Sequence, residues 1–327
     1  MITLDVSARS VTVGAILAGL VLGAAMLSLA TGPYPAPVLG TLLGQGDALE
    51  EMIIVDHRLP RILSAAGAGL AFGVAGAMIQ SLLRNPLASP DVIGFGTGAA
   101  FCGLAALILT GGAILPGALS GGLVTAALVL ALAWRGGLDP FRVVLIGIGA
   151  NIALTAAIDL MISRLDILAA QDAARWLTGS LASRDWVDVA LVAGGLALLL
   201  PVSLWLAFPL SRLSFDDDIT RGLGLAISPL RLAVMVTGVA LVAVAVCVAG
   251  PLPFVAFVAG PIARRLVGAG QPALIEAGLV GALIVVSADF VTRVMPGVHL
   301  PAGVFTGLIG APALLWLLTV QLRAGKL

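Results

Sequence analysis

Residues 61–83 read RILSAAGAGLAFGVAGAMIQSLL, an apolar run whose single charge, Arg61, stands at its start and whose single amide, Gln80, stands near its end. The apolar residues are continuous and do not alternate. A helix needs about 20 such residues to cross a bilayer core, and only helices or closed barrels satisfy their backbone there. Barrel strands are about half as long and alternate in polarity, so this stretch is a membrane-crossing helix. The pattern recurs. Ten such runs are expected, at residues 11–31, 61–83, 92–111, 114–134, 141–164, 187–208, 230–250, 253–267, 271–294 and 301–321. The eighth is short and follows Gly250-Pro251-Leu252-Pro253. The expected fold is all-α: a polytopic membrane protein with ten transmembrane helices in one domain over residues 1–327. The first run is too long for a signal-peptide core and reads as a retained span.

Composition agrees. Of 327 residues 60% are hydrophobic and 10% charged, against about 25% charged in soluble chains. That excludes a water-soluble enzyme and a disordered chain. Seventeen bases balance 17 acids, so no basic field exists to recruit nucleic acid. The sole lysine, Lys326, lies beside the C-terminus. A phosphate-binding loop needs a lysine at a helix start, so this chain does not hydrolyse ATP by that route. Cys102 and Cys247 sit inside apolar runs as core thiols, and His57 and His299 have no third ligand at motif spacing. No catalytic residue, metal site or cofactor is expected.

Ten spans put both termini on one side. With the termini inside, eleven basic residues fall on inner segments and six on outer ones (Arg58, Arg61, Arg164, Arg175, Arg184, Arg293). Basic residues favour the cytoplasmic side, so both termini are expected there, in a multi-pass protein of the inner membrane.

Glycines recur at small-xxx-small spacing, at 19/23, 69/73, 94/98, 117/121 and 303/307, which lets helix backbones approach closely in lipid. Residues 32–60 read as an outer loop. At 84–91 an Asn-Pro and a second proline form a tight inner turn. Within outer residues 165–186, Asp172 to Leu177 suit a short surface helix. Inner residues 209–229 carry Asp216, Asp217 and Asp218, acids that suit a helix N-terminus, and end at Gly222-Leu223-Gly224 and Pro229. This segment reads as a short helix pair able to dock a partner. Asp289 precedes Arg293 by four residues, an ion-pair spacing on one helix face; Asp159 is a candidate partner of Arg164. Such a bundle fits a transporter subunit energised by a separate protein, and equally a secondary transporter.

Several segments resemble the permeases of iron-siderophore, haem and cobalamin ABC importers. They are Arg58-Leu59-Pro60-Arg61; Gln80 with Arg84-Asn85-Pro86-Leu87-Ala88-Ser89-Pro90-Asp91 and Val92-Ile93-Gly94; Trp176-Leu177-Thr178-Gly179-Ser180-Leu181; and Asp218-Ile219-Thr220-Arg221-Gly222-Leu223-Gly224. Further on come Gly250-Pro251-Leu252-Pro253-Phe254-Val255, Ile262-Ala263-Arg264-Arg265 and Leu300-Pro301-Ala302-Gly303-Val304. The order is the family's, over nearly the whole chain.

The resemblance implies a pore of two permease subunits, two separate ATP-binding subunits inside, and a substrate-binding protein that delivers an iron chelate outside. It implies that Arg58, Arg61 and Arg293 receive the binding protein, and that Asn85 and Leu87 form a cytoplasmic gate. Asp216, Asp217, Asp218, Thr220, Arg221, Gly222 and Gly224 would couple to the ATPase. Gly147, Gly149, Gly303 and Gly307 would line the pathway. Two departures stand out. Gly260-Pro261 replaces the usual Pro-His before Ile-Ala-Arg, a variant familiar among ferric-siderophore permeases, several of which are heterodimers. His299 replaces a glutamate before Leu-Pro-x-Gly. A ferric siderophore is the expected cargo, with haem or cobalamin as the alternative.

Overall fold

The computed structural model describes residues 8–32, 34, 37–111, 114–135, 140–213, 220, 222, 226–268, 272–295 and 300–323. The helices are α1 (Ala8–Ala30), α2 (Val38–Leu42), α3 (Ala48–Glu51), a π-helical turn (Met52–Arg58), α4 (Leu59–Leu82), α5 (Phe95–Thr110), α6 (Ile114–Ala133), α7 (Pro140–Ile162), α8 (Ile167–Leu177), α9 (Trp186–Arg212), α10 (Ile227–Ala249), α11 (Val255–Val267), α12 (Leu274–Val294) and α13 (Ala302–Arg323). All ten expected runs fall on helices. Seven of these are long and apolar enough to cross a membrane, which makes this an integral membrane protein. Helix α11, with 13 residues, reaches about 20 Å and is the shortest of the ten; the non-helical residues 250–254 before it complete the path from the Gly179 junction to Leu266 at the other end.

Helix α4 is the axis of the bundle. It packs on α9, α10, α11 and α12, and 17 of its 24 residues are buried, against three of 23 in α1. Its small residues explain this. A Cβ on Gly69 or Gly73 would strike the main chain of α12 at Gly281 or Ala277, and one on Gly76 would strike Ala256 of α11. Close backbone contact of this kind is how helices associate in lipid, where there is no hydrophobic drive between them. Gly98, Gly117 and Gly121 join α5 to α6 in the same way, whereas Gly19 and Gly23 of α1 face open space.

Two expectations change. Residues 32–60 do not form a simple loop, because a helix runs from Ala48 to Leu82. Asp47 and Glu50 start it with a reciprocal capping box, which satisfies two otherwise orphaned donors. The wider π turn then leads into Leu59-Pro60. The expected surface helix at Asp172–Leu177 starts earlier, at Ile167.

Helix ends sort the molecule into two poles. The Arg61 end gathers the close of α1, the start of α4 and the close of α12. The Arg84 end gathers the starts of α1 and α12 and the closes of α4, α9 and α11.

Candidate functional site

At the Arg61 end, Asp289 is the centre. Its side chain is 2% exposed. Arg61 grips it with a two-pronged fork, Nε donating to both carboxylate oxygens at 3.0 Å and an outer nitrogen to Oδ1 at 2.8 Å. Arg293, one turn along α12, pairs with Oδ2 at 3.3 Å and donates to the carbonyl and hydroxyl of Ser28. The expected Asp289–Arg293 pair is present, but Arg61 makes the better contact. The planar fork suits carboxylate, and a buried acid needs such partners.

These arginines border a cleft of about 580 Å³ that also takes in Arg175 of α8, Ser180, Leu181 and the start of α13. Arg175 is exposed and has no ion pair or side-chain hydrogen bond among the described residues. Three guanidiniums thus stand over one carboxylate, and the cleft is cationic. Arg58 behaves differently. Only 7% exposed, it donates to the carbonyls of Leu29 at 2.9 Å and Tyr34 at 2.6 Å. It braces the chain after α1 and presents no open fork to the cleft.

Beneath the cleft three glycine-bearing motifs meet. The Gly303 amide donates to the carbonyl of Gly179 at 3.0 Å, and a Cβ on Gly250 would press on Gly179. Gly179 and Gly250 have φ of 74° and 70°, a region glycine enters without strain. The end of α8, the end of α10 and the start of α13 are locked together there.

At the Arg84 end the turn after α4 is built by side chains. Asn85 accepts from the Leu87 amide at 2.9 Å, Ser89 accepts from Val92 at 3.3 Å, and Ile93 packs on Gly147 of α7. Asp91 in this turn has a buried Oδ2 without a partner among the described residues, and burial pushes its carboxyl up to about 7. Arg84 donates to Leu213 at 2.5 Å, closing α4 against α9. Gln80 donates to the Phe257 carbonyl and accepts from Arg264, both at 2.8 Å. Of the expected coupling residues, Thr220 is buried and donates to the Arg212 carbonyl at 3.1 Å, and Gly222 is exposed with open space around it. Asp216, Asp217, Asp218, Arg221 and Gly224 lie outside the described residues, as does His299.

The expected lining residues differ from one another. Gly149 of α7 faces open space, Gly147 is packed on Ile93, Gly303 belongs to the glycine junction, and a Cβ on Gly307 would lie 3.8 Å from Pro253. Asp159 is exposed, and no ion pair joins it to Arg164.

Residues 14–320 match the FecCD transport family. The chain belongs to that family. It is 39% identical to the ferric enterobactin transport system permease protein of Escherichia coli, with 88% of each chain covered, and 37% identical to the Fe(3+)-citrate import system permease protein YfmE of Bacillus subtilis, again with 88% of each covered. Its fold superposes on a metal-chelate type ABC transporter in an inward-facing conformation with a TM-score of 0.83 and 28% identity, over 97% of this chain and 99% of the other. In this FecCD chain the resemblance pointed to Arg61 and Arg293 from local motifs. It missed Arg175, and it missed that Asp289 unites the pair, because Arg61 and Asp289 lie 228 positions apart.

Proposed function

We propose that this chain is the membrane-spanning permease of an ABC importer for a ferric siderophore. It forms a single unit of ten spans in the inner membrane with both termini cytoplasmic. It pairs with a second permease subunit, takes its energy from two separate ATP-binding subunits and its cargo from a binding protein. The observation that carries this reading is the contrast between its poles: a cationic cleft at the Arg61 end and, at the Arg84 end, the turn built on Asn85 with Thr220 tied to the close of α9. The count of basic residues supports placing the Arg84 end inside. The names of the relatives support an iron chelate over haem or cobalamin, and the Gly260-Pro261 pair points the same way.

On this reading Arg61 and Arg293 receive carboxylates of the binding protein, with Arg58 holding the chain behind them. Asn85 shapes the cytoplasmic gate turn and Leu87 closes it. Residues Asp216 to Gly224 sit on the ATPase, where Gly222 gives close access. The exposed apolar sides of α7 and α13, with Gly149 and Gly307, face the second subunit and the pathway. That surface carries no group specific to one chelate.

Three measurements test it. A cysteine probe at position 48 should be labelled from outside and one at position 217 should not; the reverse would overturn the orientation. Deletion of the gene should abolish growth on ferric siderophores as the iron source. Loss of haem or cobalamin uptake instead would transfer the assignment to that cargo. Uptake that survives loss of the ATPase would make the chain a secondary transporter.

A further inference from the structure

The cleft at the Arg61 end holds an arginine that the docking reading does not use. Arg61 and Arg293 are fixed: both are tied to the buried Asp289, and Arg293 is tied to Ser28 as well. Arg175 lines the same cleft from a different element, the 11-residue helix α8. It is exposed and without a side-chain partner among the described residues. Two restrained cations thus face one unrestrained cation across about 580 Å³, room for an acidic side chain with water around it. A carboxylate has two oxygens and about four lone-pair sites, so one group can accept from both walls at once.

We infer that Arg175 is the moving jaw of this cleft. An acidic side chain of the binding protein, seated between the Arg61–Arg293 wall and Arg175, draws α8 toward α4 and α12 when the partner docks. The inference rests on the docking reading above and extends it to a residue and a consequence. Charge complementarity and continuity with the proposed docking surface favour a protein carboxylate over the chelate as occupant. The consequence follows from the glycine junction. Helix α8 ends two residues before Gly179, whose carbonyl accepts from the Gly303 amide at 3.0 Å. Moving α8 therefore pulls on the start of α13 and on the turn at Gly250. Occupancy of the cleft is felt at the exposed apolar helix α13 through main chain, with no side-chain relay between them.

The test uses the full transporter in lipid nanodiscs with its ATPase subunits and the purified, chelate-free binding protein. Spin labels are placed on Gln171→Cys of α8 and Leu63→Cys of α4, with Cys102→Ser and Cys247→Ala removing the native thiols. In the parent the distance distribution should narrow when the binding protein is added. Arg175→Ala should abolish the narrowing and weaken binding about five- to tenfold at low salt, and Arg175→Lys should restore part of each. Since Arg175 is exposed, the melting temperature in detergent should stay unchanged. If Arg175→Ala leaves both affinity and distance as in the parent while Arg61→Gln weakens binding, the jaw is wrong and the docking reading stands. If neither variant weakens binding, the docking reading fails and the jaw with it. If Arg175→Ala lowers chelate uptake but not affinity for the chelate-free partner, the chelate occupies Arg175 and the inference is overturned.

Discussion

At the Arg61 end two guanidiniums converge on the carboxylate of Asp289; at the Arg84 end guanidiniums meet main-chain carbonyls and one amide. Arg9 donates to Leu266 at the close of α11, Arg84 to Leu213 at the close of α9, and Arg264 to Gln80. Helix C-termini carry partial negative charge and unpaired carbonyls, and basic side chains relieve both. The Arg84 arginines are therefore helix-end ties. The Arg61 pair holds more positive charge than its acid neutralises, beside an open cleft. Arg58, although at the Arg61 end, belongs with the first kind, since it too binds carbonyls. The same residue type thus serves as a helix-end tie or, on the proposed docking reading, as a receptor, and the difference is whether a buried carboxylate fixes it beside open space.

The strongest way to break this comparison is to remove the carboxylate. Asp289→Ala leaves two facing guanidiniums partly buried and should cost about 3 kcal/mol, read as a fall in the detergent melting temperature. An unchanged melting temperature would mean that Asp289 does not hold the pair. Next is Gln80→Ala at the other pole, which strands the Phe257 carbonyl and Arg264 and should cost about 2 kcal/mol in the same assay, with affinity for the binding protein unaltered.

A third prediction sets Asp91 against Asp289, among the described residues one acid without a partner and one with two. Asp91 titrates near 7 in the folded protein, above its ordinary value, so between pH 4 and 7 the folded state holds the proton more firmly than the unfolded state. Stability should then fall as pH rises across that window and level off above it. Asp91→Asn should flatten the pH profile of melting; a profile identical to the parent's would refute the buried acid. The smallest effect belongs to Arg9→Ala, the loss of one exposed tie, at about 0.5 kcal/mol with uptake retained.

Much of this was legible in the sequence. The run at 61–83 and its nine companions located the helices because apolar length is a strong local signal. The Asn-Pro turn was equally readable, since Asn85 acts on Leu87 two residues away. What the sequence hid is non-local. Glycine spacing is identical in α1 and α4, yet only α4 uses it for contact, because the pattern does not say which helix lies in the middle. The helix start at Ala48 was missed although Asp47 and Glu50 have the capping-box spacing, because the acids made the segment look solvated. Residue spacing suggested Arg293 for Asp289, but Arg61 comes from another helix. Arg175 could be read only as one of six outer bases, since only the fold brings α8 to the cleft.

The central claim is that the Arg61 pole is an anion receptor for a partner protein, and the most direct measurement is affinity of the assembled transporter for its binding protein at low and high salt, with and without Arg61→Gln. Parent affinity should be high at low salt and fall as salt screens the charges. The variant should bind more weakly at low salt and lose part of that salt dependence, with a glutamate-to-arginine change on the binding protein's facing lobe costing the parent more than the variant. Equal affinity for parent and variant at low salt, with the same salt slope, would contradict the claim.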